Sequence, residues 1–184
     1  MSESRKIAPR VAIVAAVLAL AFIVVLIVAS PDSQTDAESP LLGNPAPAIV
    51  TTTIEDQTFD LARRKGSWVI LNFFNSTCVP CRAEHPELLA FADAQASSDQ
   101  PAELYTVIND DSDGAVKAYF DEHGGSWPKL RDDNGSIAVA FGVARVPETW
   151  IIDPNGFVRL RILGSVVDGV LEEQMASLRA SQGK

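Results

Sequence analysis

Cys78 and Cys81 are the only two cysteines in a chain of 184 residues. They stand in Cys78-Val79-Pro80-Cys81, just after the apolar run Trp68 to Phe74. Two thiols at that spacing, where a strand hands over to a helix, are placed to make and break one disulfide. A cysteine at a helix N-terminus faces unpaired backbone N–H groups and the positive end of the helix dipole, and both favour thiolate over thiol. That position falls to Cys78. Pro80 fits the first turn, where a missing N–H is tolerated. Cys81 lies one turn deeper, so Cys78 reads as the attacking thiolate and Cys81 as the resolving thiol: Cys78 opens a partner disulfide, and Cys81 then displaces the product.

Two other uses of the pair are weaker. A static disulfide closing so short a loop constrains the unfolded chain very little. A zinc site would need about four ligands, and only His85 and His123 could join the thiols. No metal is therefore expected, and no cofactor beyond the Cys78–Cys81 pair itself. His85 reads instead as an exposed first-turn residue and His123 as the tail of a surface helix.

The elements that position the pair follow from periodicity. Trp68 to Phe74 is continuously apolar apart from Asn72, as a central strand covered on both faces would be. Ile49 to Thr53 and Gln57 to Leu61 predict a small hairpin across Glu55-Asp56. After Cys81, Leu88, Leu89, Ala92 and Ala96 recur at helical spacing up to the polar break Ser97-Ser98-Asp99, with Pro86 kinking the helix rather than ending it. Glu103 to Ile108 predicts a second buried strand. Asp113 is the expected cap of a helix carrying Val116, Tyr119 and Phe120 and closed by Gly124-Gly125. A short helical stretch, Ile137 to Phe141, precedes a hairpin of Glu148 to Ile152 and Phe157 to Ile162 turning at Asp153-Pro154-Asn155-Gly156. The last helix, Asp168 to Arg179, puts Val167, Leu171, Met175 and Leu178 on one face. This order predicts an α/β fold, a mixed sheet flanked by helices with an N-terminal β-hairpin extension.

Upstream lies a different kind of segment. Residues 11–29 contain no charged or amide side chain and would span roughly 28 Å as a helix, enough for one membrane crossing. A cleaved signal peptide is the competing reading, but its apolar region is usually about 7 to 15 residues long. Arg5, Lys6 and Arg10 precede the run while Asp32, Asp36 and Glu38 follow it. A single-pass anchor is expected to keep residues 1–10 in the cytoplasm and export the rest. Residues 30–43 read as a flexible linker and 44–184 as the exported domain. The formal net charge of −9 makes nucleic acid a poor partner.

FFNSTCVPCRAEHPELLAF and GVARVPETWIIDPNGFVRLRILG together resemble the membrane-anchored thioredoxin-like proteins of cytochrome c maturation, the DsbE/CcmG and ResA/TlpA type. The resemblance runs from about Gly43 to the last helix. It implies a thioredoxin fold and a tethered protein-disulfide reductase of the cell membrane, with its domain on the outer face. It further implies that the substrate is the disulfide of the haem-attachment cysteines of apocytochrome c, or another disulfide-bearing exported protein, and that a transmembrane thiol relay donates electrons. By position, Val146-Pro147 matches the segment that holds a cis proline facing the disulfide, whose backbone would pair with bound peptide. Asn72 lies where thioredoxin has a buried acid. Glu148 matches the family's Pro-Glu-Thr and could raise the thiol pKa values or shuttle a proton. Glu84 is an acid near the thiols, read first as a solvated surface residue, and Arg145 as a rim charge. Thr77 departs from the pattern, since the family usually has tryptophan there. Alternatives are a general extracytoplasmic oxidoreductase or oxidase, a peroxiredoxin-like peroxidase, for which Asn75-Ser76-Thr77 lacks the right motif, and a non-catalytic holder of apocytochrome.

Overall fold

A computed structural model describes residues 7–28, 39–167 and 169–182. The chain divides into two units, Met1–Gln34 and Thr35–Lys184. In the first, helix α1 (Ile7–Val28) covers residues 11–28 of the apolar run and begins four residues before it. Its described side chains are residues 12–22, all exposed. Among the described residues no helix is long and apolar enough to cross a membrane. Residues 1–6 and 30–38, expected to be a cytoplasmic end and part of a linker, lie outside the described residues.

The second unit is built on β3 (Trp68–Phe74), all seven residues of which are buried. Its branched and aromatic side chains suit a strand covered on both faces. It pairs in parallel with β4 (Ala102–Ile108) and antiparallel with β6 (Glu148–Ile152). The edge strands β5 (Lys129–Leu130) and β7 (Val158–Leu163) complete the order β5-β4-β3-β6-β7. The expected mixed sheet is thus present. A separate hairpin, β1 (Val50–Thr52) and β2 (Thr58–Asp60), is the anticipated extension.

Alternation along β3 sends side chains to two cores. Ile70 and Phe74 meet α2 (Val79–Ala96), α3 (Asp113–His123) and α5 (Val170–Gln182) through Leu88, Phe91, Val116, Phe120, Leu171 and Met175. Val69, Leu71 and Phe73 meet the hairpin and α4 (Ser136–Phe141) through Phe59, Ile137 and Phe141.

Several boundaries depart from expectation. Residues 39–43, assigned to the linker, are docked: Leu41 and Leu42 pack on the second core, and the Gly43 N–H donates to the Val158 carbonyl at 2.8 Å. Two adjacent leucines have apolar surface to bury, which a free tether would leave in water. Helix α3 is capped by Ser112, whose hydroxyl accepts from the Ala115 N–H, and Asp113 is its first residue. The final helix starts at Val170; Asp168, its expected start, lies outside the described residues. Val167 precedes that helix and is exposed, and Val166 is buried in its place.

Candidate active site

Strand β3 ends at Phe74 and the chain turns immediately. Asn75 holds that turn: its amide donates to the carbonyls of Asn109 and Asp110, while its Oδ1 accepts from the N–H and hydroxyl of Thr77. The Ser76 N–H donates to the Asp111 carboxylate at 2.6 Å. Thr77, the departure from the resembled pattern, is a small exposed residue whose hydroxyl is already engaged.

Cys78 is the N-cap of α2, and the Cys81 N–H donates to its sulfur at 3.2 Å. Pro80 is the second helical residue, where a proline needs no intrahelical partner for its nitrogen. Cys78 and Cys81 form a disulfide with their Cα atoms 5.3 Å apart. Cys78 is partly exposed and Cys81 fully buried. Across from them the Val146–Pro147 peptide is cis. The Val146 carbonyl oxygen lies 3.7 Å from Cys78 Sγ. Pro147 is buried and Arg145 exposed, as a rim charge would be.

The two acids are arranged differently from expectation. Glu84, read as solvated, is fully buried on the face of α2 that carries Cys81. Its Oε1 accepts from Asn72 Nδ2 at 2.9 Å and its Oε2 from the Val166 N–H at 2.9 Å. Burial raises its pKa from the ordinary 4.5 to about 7, against the two hydrogen bonds, which favour the charged form. A carboxyl that holds or releases a proton near neutrality therefore sits one turn beyond Cys81.

Glu148, expected near the thiols, faces the other way. Successive residues of β6 point to opposite faces, so Thr149 meets Asn72 while Glu148 lies beside Trp150. There its carboxylate accepts from the Trp150 indole N–H at 2.7 Å and from Arg161 Nε at 2.8 Å. With its oxygens held in that fork it is an anchor of the strand rather than a partner of the sulfurs. His85, expected to be exposed, is also buried. Its Nε2–H donates to the Gly124 carbonyl at 3.1 Å, its ring stands edge-on to Tyr119 and Phe120, and burial lowers its pKa.

One part of the site was not foreseen. The loop after β7 is fastened around α2: the Gly164 N–H donates to the Pro147 carbonyl at 3.0 Å, and the Ser165 hydroxyl to the Pro80 carbonyl at 2.9 Å. Only the end of the β7 alternation at Gly164-Ser165 marked this stretch in the sequence. Among the described residues no group of three or more His, Cys, Asp or Glu is arranged to hold a metal.

Residues 42–161 match the model of the AhpC/TSA family, more than half of the chain. The chain belongs to that family. Within it, the chain is 32% identical over 147 residues to the thiol:disulfide interchange protein DsbE of Pseudomonas aeruginosa, covering 78% of each. It is 30% identical over 137 residues to the thiol-disulfide oxidoreductase ResA of Bacillus thuringiensis, covering 74% of this chain and 78% of the relative. A solved thiol:disulfide interchange protein of Chlorobium tepidum superposes with a TM-score of 0.60 at 26% identity, covering 71% of this chain and 90% of that one. The fold is thioredoxin-like, and this AhpC/TSA member is a thiol-disulfide oxidoreductase of the DsbE and ResA type with Cys78–Cys81 as its redox pair.

Proposed function

We propose that this oxidoreductase works as a reductase, tethered to the outer face of the cytoplasmic membrane by its N-terminal apolar segment. Its substrate is the disulfide between the haem-attachment cysteines of apocytochrome c. The observation that carries the reading is the asymmetry of the pair. One sulfur is reachable and accepts a backbone N–H; the other is buried one turn before a carboxyl that titrates near pH 7.

The cycle then runs as follows in atoms and electrons. The Cys78 thiolate attacks one substrate sulfur, the substrate S–S bond breaks, and the displaced substrate thiolate takes a proton from water. Cys81 loses its proton, for which the Glu84 carboxylate is the acceptor. The Cys81 thiolate attacks Cys78 Sγ, the mixed disulfide breaks, and the second substrate thiolate leaves. Two electrons have passed to substrate and Cys78–Cys81 is oxidised. A transmembrane thiol relay restores the dithiol by the same exchange in reverse. The backbone at Val146, beside Cys78, pairs with the substrate peptide as an added strand. Likeness to DsbE and ResA supports this substrate class, and the uncharged run of residues 11–29 supports the tether.

Trapping tests the reading. In cells producing Cys81→Ala, a mixed disulfide through Cys78 is expected to accumulate in the membrane fraction, with apocytochrome c as its partner, and Cys78→Ala is expected to abolish it. Adducts with many exported proteins and none with apocytochrome c would replace the reading by a general oxidoreductase. Full complementation by Cys78→Ala would replace it by a non-catalytic holder.

A further inference from the structure

The loop after β7 touches the first turn of α2 at a point that bears on the nucleophile. The Ser165 hydroxyl donates to the Pro80 carbonyl at 2.9 Å. The Cys81 N–H donates to Cys78 Sγ at 3.2 Å. That carbonyl and that N–H are the two ends of one planar peptide group. Fixing the direction of the C=O therefore fixes the direction of the N–H. A hydrogen bond accepted at the oxygen also polarises the amide, which makes its N–H a stronger donor.

We propose that Ser165 is a positioning residue for the Cys78 thiolate. Its hydroxyl clamps the Pro80–Cys81 peptide so that the Cys81 N–H stays aimed at Cys78 Sγ and binds it more strongly once the sulfur is charged. A bond from an N–H to a charged acceptor is roughly twice as strong as a neutral one, so the clamp acts on the thiolate more than on the thiol or the disulfide.

The hydroxyl is placed by its backbone. Gly164 on one side is bound to the Pro147 carbonyl, and Val166 on the other, 1% exposed, is bound to Glu84. A little further on, the Gly169 N–H donates to Glu87 at 3.1 Å. None of these bonds uses the Ser165 side chain, so removing the hydroxyl leaves the loop fastened. The same loop thus touches all three parts of the site: the cis proline, the turn between the cysteines and the buried carboxyl.

The inference rests on Cys78 being the attacking thiol, and the test separates the two claims. Full-length reduced protein is alkylated with iodoacetamide across pH, and adducts at Cys78 and Cys81 are separated by peptide mass spectrometry. For Ser165→Ala the Cys78 inflection is expected to move upward, so that its rate at acidic pH falls about threefold while the rate at high pH is unchanged. Ser165→Thr is expected to restore the parent curve. Ser165→Val is nearly the shape of Ser165→Thr without a hydroxyl, and the same shift is expected between those two should Ser165→Ala lower the melting midpoint. An inflection at Cys78 that is the same with and without the hydroxyl would overturn the positioning role alone. Labelling that falls on Cys81 instead in the parent would overturn the assignment of the nucleophile as well.

Discussion

Glu84 and Glu148 are both buried carboxylates close in sequence to the site, and their surroundings give them opposite roles. Glu148 is matched by Arg161 and by an indole N–H. Among the described residues Glu84 has two neutral donors and no cation, so desolvation wins and its proton is held to about pH 7. The linkage has a definite sign. Between pH 4.5 and about 7 the folded chain binds a proton that the unfolded chain has released, so stability falls as pH rises through that window, by roughly 3 kcal/mol in all. In Glu84→Gln this slope is expected to vanish, making the oxidised variant less stable than parent at pH 4.5 relative to their difference at pH 8; urea melts at the two pH values measure it. His85, whose proton affinity is lowered by burial, destabilises both proteins as pH falls below about 6.5, so the difference between the two curves isolates Glu84. The burial of both residues was legible in principle. The buried face of α2 runs Cys81, Glu84, His85, Leu88, Phe91, Gln95, a regular helical stripe. Following apolar residues alone selected Leu88, Leu89, Ala92 and Ala96, of which only Leu88 lies on that stripe and the others sit one step around the helix. What the sequence could not supply is the partner from β3: Asn72 Nδ2 reaches Glu84 across a separation of 12 residues.

Elements with a clear apolar or turn signal were read closely, down to the five residues of β6, and the shortest strand was not. Strand β3 was placed to the residue because seven consecutive buried positions leave little ambiguity. Strand β5 has two residues and was missed, since its pairing depends on β4 rather than on local preference. That short strand nevertheless leads into Arg131, which joins three elements. Its guanidinium donates to Asp113 and Asp56, each at 2.7 Å, to the Thr52 hydroxyl at 3.0 Å and to the Ile54 carbonyl at 3.2 Å. These contacts fasten the β1–β2 hairpin to the main sheet and to α3. With Arg131→Ala, the hairpin amides of Thr53 and Ile54 are expected to exchange about tenfold faster while those of β3 keep their protection. Hydrogen exchange followed by mass spectrometry reads both, and equal acceleration in β3 would show that the hairpin is not an independent opening unit.

At the scale of the molecule, the composition carried the general outline, an acidic chain with one apolar segment and a domain large enough for a core; that the core is two clusters, one on each face of the sheet, is seen only in the structure. The thioredoxin-like architecture was legible because the two quoted motifs occur in the right order, the first starting at the end of the central strand and the second containing β6, which pairs with it. The loop after β7 was not, because its role consists of backbone and hydroxyl contacts across about 80 residues of sequence, which no local pattern encodes. The redox reading needs that whole arrangement: a sheet that ends at the thiols, a cis proline opposite, and a buried carboxyl behind. Its centre is the claim that Cys78 is charged and reachable at neutral pH while Cys81 is protected. Brief treatment of the reduced full-length protein with limiting iodoacetamide at pH 7, followed by peptide mass spectrometry, tests this most directly. The adduct is expected on Cys78, with a rate inflection below the ordinary cysteine value of about 8.5. An adduct formed first on Cys81, or a Cys78 inflection at or above that value, would contradict the account.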